Sequence, residues 1–191
     1  MEPQFAINDK LMFYKYLDKS KIYFEYGSGG STYQASIRNN IMQIFSVESD
    51  KNWCNILQQE IKSNNVTYFY NEMNAQPNNW GYPGPNSTHA QHANYSNYMI
   101  NLTESDQKSI DLILIDGRFR VACCLKCFDI IDPTCLIAFD DFLDRPQYHV
   151  VLDYYDVIEK TNDNRMVILQ KKNHVNLIPK ELIQQYELIA N

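Results

Sequence analysis

The stretch KIYFEYGSGGSTYQASIRNN, residues 21–40, decides the fold of this chain. A short and mostly apolar run ends at Gly27, and a glycine cluster then leads directly into a helical pattern. Glycines let the backbone turn sharply and approach a ligand without a Cβ clash. The helix that follows presents free amide groups at its start. The stretch therefore predicts a strand, a ligand-binding turn and a helix in succession.

Predicted strands alternate with predicted helices along the rest of the chain. The predicted strands are residues 21–27, 41–50, 64–72, 111–117 and 134–142, followed by a hairpin over 155–172 around TNDN. The predicted helices are residues 5–18, 31–40, 50–63, 119–132, 145–155 and 179–189. This alternation predicts an α/β fold with a mostly parallel sheet covered on both faces.

Size and composition predict one domain over residues 1–191, with a helical cover at 1–20 and a long loop at 72–98. The net charge of −6 argues against a nucleic-acid or anionic-membrane partner. No apolar run has the roughly 18–20 residues that span a bilayer. We expect a cytoplasmic protein, in the host cytoplasm if its AT-rich residue usage reflects a large DNA virus. The five cysteines are expected to be reduced and structural.

Acidic residues close several of the predicted strands. Glu48 ends the second strand, Asp116 ends the fourth, and Asp140 and Asp141 end the fifth. In open α/β sheets the ligand binds at the carboxyl ends of the strands. The sequence therefore predicts an acidic site at that edge of the sheet.

The glycine turn is compatible with three ligand classes. A phosphate-binding P-loop needs a lysine after the glycines, and none follows them here. A dinucleotide turn needs a third glycine, where this chain has Thr32. A turn that admits the methionine end of S-adenosylmethionine fits better, since Glu25 suits a sulfonium or ammonium group and not a pyrophosphate.

The segment EYGSGGS resembles motif I of class I S-adenosylmethionine-dependent methyltransferases. The resemblance extends from Lys21 to about Lys172 and implies a Rossmann-like, seven-stranded sheet of order 3-2-1-4-5-7-6 with a C-terminal antiparallel hairpin. In that family an acid in the position of Glu48 binds the ribose hydroxyls. The cofactor-binding residues implied are Glu25, Gly27, Ser28, Gly29, Ser31, Thr32, Glu48, Ser49, Asp116 and Gly117.

The strand ends LIDGRF and AFDDF resemble those that hold a divalent metal in catechol-type and sugar-modifying O-methyltransferases. The resemblance implies Asp116, Asp140 and Asp141 as ligands of Mg²⁺, a hard cation that suits carboxylates. Helix caps and solvated edges are the competing interpretation of these acids. The chain also departs from the catechol-type pattern, because Phe119 stands where that family has a lysine base.

The candidate catalytic residues are Asp116, Arg118 and His149. The ordinary pKa of histidine suits a general base, whereas Arg118 would orient an anionic acceptor. The expected acceptor is a small hydroxylated molecule such as a nucleotide-linked sugar or a glycan, and a homo-oligomer is compatible with the sequence. Aromatic residues of the long loop are candidates for stacking on a sugar ring, namely Trp80, Tyr82, Tyr95 and Tyr98.

Other functions stay open on the sequence alone. A relative that binds the cofactor without catalysis is one alternative, and a nicotinamide-dependent oxidoreductase is another. The turn could also be a purely structural junction between strand and helix. A nucleic-acid methyltransferase is disfavoured by the acidic composition and by the lack of an NPPY-type motif.

Overall fold

The computed structural model describes residues 1–162, 165–175 and 177–190. Its strands are β1 (Ile22–Tyr26), β2 (Gln43–Glu48), β3 (Val66–Tyr70), β4 (Leu112–Ile115), β5 (Leu136–Phe139), β6 (Tyr155–Lys160) and β7 (Val167–Lys171). Its α-helices are α1 (Ile7–Leu17), α2 (Gly30–Ser36), α3 (Lys51–Glu60), α4 (His89–Asn97), α5 (Glu104–Ser109), α6 (Arg120–Cys127) and α7 (Lys180–Tyr186). A 3₁₀ helix covers Pro146–Asp153.

The seven strands form one sheet of order β3-β2-β1-β4-β5-β7-β6, which confirms the predicted order. The pairs from β3 to β5 are parallel, whereas β7 runs antiparallel to both β5 and β6. The sheet is therefore mixed, and its antiparallel part is the C-terminal hairpin and the pairing of that hairpin with β5. Two residues of the expected TNDN turn, 163 and 164, lie outside the described residues.

Both faces of the sheet are buried, which explains why the central strands are apolar at nearly every position. On one face, Phe24 and Ile113 belong to a core that includes the apolar side of α6. On the other face, Tyr23 and Leu112 belong to a core that includes side chains of α1 and α2. Helices on both sides thus hold the carboxyl ends of the parallel strands at a common edge.

The segment 72–98, expected to be a loop, contains α4. Thr88 caps this helix, since its hydroxyl accepts a hydrogen bond from the N–H of Gln91 and the Gln91 side chain bonds back to Thr88. This capping box lies in a polar stretch with little helical periodicity, which is why the apolar pattern did not reveal the helix. Helix α5 was also not predicted.

Buried polar groups fix the C-terminal helix to the body of the protein. The Nζ atom of Lys126 pairs with the carboxylate of Glu187 and donates to Ser96 Oγ at 2.7 Å and to Asn97 Oδ1 at 2.6 Å. The side chains of Lys126 and Glu187 are only 7% and 9% exposed. The ion pair therefore joins α6 to the end of α7 away from water.

Two further expectations concern the state of the cysteines and the presence of membrane-spanning segments. All five cysteines are buried and free, as expected. None of the helices in the described part of the chain has the length and apolar character that crossing a membrane requires.

We expect Lys126→Met to lower the free energy of unfolding by about 3 kcal/mol, because removal of one partner leaves a buried charge uncompensated. Denaturant unfolding at constant pH measures this loss. Lys15→Met is the matched control, since it removes the same charge from an exposed pair with Glu159 and should cost less than about 1 kcal/mol. An equal loss of unfolding free energy in the two variants would contradict the role of the Lys126–Glu187 ion pair in stability.

Candidate active site

A cavity of about 570 Å³ opens at the carboxyl ends of β1, β2 and β4. Its wall consists of residues 1–4, 27–31 and 116–118, parts of 48–56 and 77–81, and Tyr95. The volume lies in the range of about 300–1,000 Å³ that small-molecule sites occupy. The edge of the sheet at which the sequence predicts a site is therefore the edge that carries this cavity.

The glycine turn lies in direct contact with the turn that follows β4. Gly27 has φ +97°, and a Cβ atom there would lie 2.8 Å from the backbone nitrogen of Gly117. Its N–H donates to the carbonyl of Val47 at 3.0 Å. Gly27 is therefore needed for the close approach of three strand ends. Gly29 is extended, and a Cβ atom there would meet nothing within 4 Å.

Glu25 lies beneath the turn and does not belong to the described cavity wall, in contrast to its expected role in binding the cofactor. Its buried carboxylate accepts hydrogen bonds from four hydroxyl groups, which belong to Tyr23, Ser31, Thr32 and Ser46. Burial raises the pKa of Glu25, and these hydroxyls oppose that effect. Glu25 and Thr32 thus support the turn from below.

Glu48 lies on the cavity wall and organises the turn after β2. Its Oε1 atom accepts from the N–H groups of Ser49 at 2.6 Å and Asp50 at 2.7 Å, and its Oε2 atom accepts from the N–H of Ser28 at 3.2 Å. Burial raises the pKa of Glu48 to about 7, although these three N–H groups oppose the shift. The carboxyl group therefore changes charge near neutral pH.

Two irregular segments form the outer parts of the wall. Residues 1–4 cross the glycine turn so closely that a Cβ atom on Gly30 would lie 2.2 Å from the backbone of Glu2. Residues 77–81 contribute from the long segment, and the carbonyl of Gly81 accepts a hydrogen bond from Ser49 Oγ at 2.8 Å. The sequence analysis named Trp80 of the second segment as a stacking candidate, whereas residues 1–4 carry no sequence pattern that would have placed them at a site.

Helix α3 contributes residues to the wall that the sequence analysis did not single out. The Nε1 atom of Trp53 donates to the carbonyl of Ser28 at 2.9 Å, and Ile56 lies one turn further along the helix. Asp50 caps the helix, with its carboxylate 2.9 Å from the N–H of Asn52. Helix α3 begins just after the acidic end of β2, so its first turn must lie at this edge of the sheet. This position in the sequence is the signal that could have identified Trp53 as a wall residue.

The turn after β4 brings Asp116 and Gly117 to the wall as expected. A Cβ atom on Gly117 would lie 2.0 Å from the hydroxyl of Tyr95, so only glycine permits this packing. Tyr95 lies on α4 and also lines the cavity. Asp116 pairs with Arg120 at 2.9 Å. Burial raises the pKa of Asp116, and the charge of Arg120 opposes the shift.

The three acids expected to bind a metal do not form a metal site. The carboxylate of Asp141 is occupied by the guanidinium groups of Arg120, Arg145 and Arg165. Burial raises the pKa of Asp141, but the hydrogen bond from Arg165 and the charges of Arg120 and Arg145 lower it below its ordinary value. A cation would have to displace these arginines.

Asp140 lies buried beside Asp116 and Asp141. Burial, with the nearby charges of these two acids, raises the pKa of Asp140 to about 8. Within residues 1–162, 165–175 and 177–190, no group of three or more acidic, histidine or cysteine side chains is arranged to hold a metal ion. The residues present therefore do not fit the expected magnesium site.

The other candidate residues lie in different places. The Nε2 atom of His149 lies 3.1 Å from the carbonyl of Phe142, and the histidine is not on the described wall, so the structure gives no support to its role as a base. Tyr98 packs on Phe69, away from the cavity. Trp80 lines the cavity and is 69% exposed. Arg118 lines the cavity and stacks on Tyr82, with its Cζ atom 4.1 Å from the ring centroid.

Comparison with solved structures identifies the fold. A methyltransferase-like protein from Silicibacter pomeroyi is similar over 100% of this chain and 98% of its own, with a TM-score of 0.80 and 22% identity. An RNA methyltransferase from Salinibacter ruber in complex with S-adenosyl-L-homocysteine is similar over 90% of this chain and 95% of its own, with a TM-score of 0.51 and 11% identity. Precorrin-6y C5,15-methyltransferase from Geobacter metallireducens has a TM-score of 0.53 and 14% identity, with coverage of 90% and 94%.

These similarities show that the chain has the fold of class I methyltransferases. At such low identities they show the fold alone. No protein-family model matches the chain, and no curated protein matches it in sequence.

We expect Gly27→Ala to destabilise the protein by about 2 kcal/mol or more, because alanine strains a backbone at positive φ and its Cβ would clash with the turn after β4. Gly29→Ala is the matched control, since Gly29 has open space and an extended backbone. Thermal and denaturant unfolding of both variants measure the difference. Similar stabilities would show that the contact between the two turns is not needed.

Proposed function

We propose that this protein binds S-adenosylmethionine in the cavity and transfers the methyl group to a hydroxyl group of a small acceptor. The observation that carries the proposal is the joint position of the glycine turn, Glu48 and Asp116 around one cavity. The three lie at the ends of β1, β2 and β4, where this class of fold binds ligands. The acids on the wall also complement the positive charges of the cofactor.

The residues at the ends of β1 and β2 would hold the cofactor. Glu48, when ionised, can accept hydrogen bonds from the two ribose hydroxyls in a bidentate manner. The ring of Trp53 and the side chain of Ile56 offer an apolar surface for the adenine. The open space at Gly29 admits the chain that links the ribose to the amino-acid end.

The residues at the end of β4 would hold the acceptor. When bound, the cofactor supplies an activated methyl group for an in-line displacement, so the task of the protein is alignment and exclusion of water. Asp116, kept on the wall by Arg120, can accept a hydrogen bond or a proton from an acceptor hydroxyl. Trp80 at the exposed side of the cavity supports a sugar, such as one in a glycan, as the first acceptor class to test.

A second function is favoured by one observation. The described wall of the cavity contains neither a histidine nor a lysine, so a general base there would have to be a carboxylate such as Asp116, which is paired with Arg120. This composition suits a relative that binds the cofactor and does not transfer its methyl group. The two functions share the cofactor site and differ in turnover.

We expect the chain to bind S-adenosylhomocysteine and the affinity to fall about tenfold from pH 8 to pH 6, as Glu48 titrates near pH 7. Burial raises the pKa of this acid, so lowering the pH protonates the carboxylate that must accept the ribose hydroxyls. Isothermal titration calorimetry at several pH values measures the affinity.

Glu48→Gln provides the control for this pH dependence. The glutamine keeps the size of the side chain and removes its titration, so the variant should bind more weakly at pH 8 and show little change with pH. A variant with the pH profile of the wild type would assign the titration to another group. Absence of S-adenosylhomocysteine binding by the wild type at every pH would overturn the proposal.

We expect methyl transfer from radiolabelled S-adenosylmethionine to a panel of sugars and other hydroxylated compounds to persist in EDTA, because arginines occupy Asp141. Asp116→Asn should reduce transfer about 100-fold while S-adenosylhomocysteine affinity changes several-fold at most. Loss of transfer in EDTA, restored by Mg²⁺, would contradict the metal-free site. Cofactor binding without transfer to any acceptor would favour the second function.

A further inference from the structure

Arg118 is a buried cation on the cavity wall that forms no ion pair with the described residues. The residue is 8% exposed and belongs to the wall. Its Cζ atom lies 4.1 Å from the centroid of the Tyr82 ring, and its buried Nε atom has no hydrogen-bond partner among the described residues. In the part of the chain that the structure describes, no ion pair involves Arg118.

The other buried cations nearby are all paired. Arg120 contacts the carboxylates of Asp116 and Asp141, and Lys126 contacts Glu187. Burial of a charge without a partner is costly, so paired burial is the rule in folded proteins. Asp116 does not fill this role for Arg118, since its contact is with Arg120 and Arg118 acts on its pKa only through space. Among the described residues, Arg118 therefore has no carboxylate in direct contact, although Asp116 is near enough for their charges to interact.

The charges on the cavity wall show what kind of anion fits. Besides Tyr95, the ionisable side chains of the described wall are four acids and one base, Arg118; the acids are Glu2, Glu48, Asp50 and Asp116. A single guanidinium neutralises one negative charge and can donate two parallel hydrogen bonds to a carboxylate. A phosphate dianion would bring a second negative charge next to these acids.

We propose that Arg118 is the carboxylate-binding residue of the cavity. The inference rests on the proposed function, because the carboxylate would come from one of the two ligands of a methyl transfer. One source is the amino-acid end of the cofactor. This end carries a carboxylate near the ammonium and sulfonium groups, which the acids of the wall would attract. The other source is a carboxylate on the acceptor.

The first experiment compares two adenosine ligands by isothermal titration calorimetry on the full chain. S-adenosylhomocysteine has the amino-acid end, whereas 5′-methylthioadenosine lacks it. If the cofactor supplies the carboxylate, Arg118→Met should weaken S-adenosylhomocysteine binding at least tenfold and change 5′-methylthioadenosine binding less than twofold. Arg118→Lys keeps the charge without the bidentate geometry, so its affinity for S-adenosylhomocysteine should lie between those of the wild type and Arg118→Met. Lys15→Met, on the exposed pair with Glu159, controls for the lost charge.

The second experiment tests the acceptor as the source. Benzoate is titrated into the protein, with and without saturating S-adenosylhomocysteine, while the Nε–H signal of Arg118 is followed by NMR. If the acceptor supplies the carboxylate, benzoate should shift this signal with S-adenosylhomocysteine bound, and Arg118→Met should abolish benzoate binding. The thermal midpoints of the variants verify that they are folded.

The two proposals fail in different ways. If the wild type binds S-adenosylhomocysteine, but neither that affinity nor benzoate binding depends on Arg118, the role of Arg118 is overturned and the proposed function stands. If the wild type binds neither adenosine ligand, the proposed function is overturned. Benzoate binding to the free protein that depends on Arg118 would then still support a carboxylate site.

Discussion

The buried carboxylate of Glu25 is the interaction on which the candidate site depends. It accepts hydrogen bonds from hydroxyls of β1, β2 and α2, and so joins three consecutive elements beneath one turn. Each donor loses its bond to water on folding, and a carboxylate with four hydroxyl partners compensates for that loss. The N–H of Gly29 extends the network by donating to Thr32 Oγ1 at 2.8 Å. The shape of the glycine turn therefore follows from a buried acid.

The position of Glu25 determines which acids are left for a ligand. In the sequence, an acid beside a glycine turn indicates a cationic ligand. In the structure, however, the carboxylate of Glu25 accepts hydrogen bonds from four hydroxyl groups of the protein itself. Glu48 and Asp116 remain on the wall, one at each neighbouring strand end. In the proposed function, selectivity for a positively charged cofactor would therefore depend on those two residues. The argument against a pyrophosphate still holds, since the cavity keeps its acidic wall.

The sequence was sufficient for the order of the strands and for the edge that carries the cavity. Five predicted runs correspond to β1 to β5, and two further runs around TNDN correspond to the hairpin. The pattern is clearest in β1, β2, β4 and β5, which are buried at nearly every position. The sequence was insufficient to predict α4 within the segment 72–98, because this helix begins with a capping box and has no apolar stripe. The contribution of residues 1–4 was also out of reach, because they contact the glycine turn through backbone atoms.

The acids at the end of β5 show why the ion-pair partners of an acid cannot be inferred from the sequence of a strand end alone. Asp140 and Asp141 suggest a metal when only their own strand is considered. The side chains that decide the matter are Arg145, from the segment that follows β5, and Arg165, from just before β7 in the hairpin. Their approach depends on tertiary structure, and the backbone of Asp141 at φ +55° helps to orient its carboxylate.

The distribution of charge around the cavity separates its two ends. Arginines neutralise the end of β5, where Asp141 is fully paired, and this part of the edge is structural. The ends of β1 and β2 carry Glu48 with its carboxylate held by backbone N–H groups, which suits a neutral ribose or a cation. Arg118, after β4, is the one basic side chain on the described wall. A zwitterionic ligand, or a cation beside an anion, matches this arrangement of charges, because each charged group then meets its complement within one cavity.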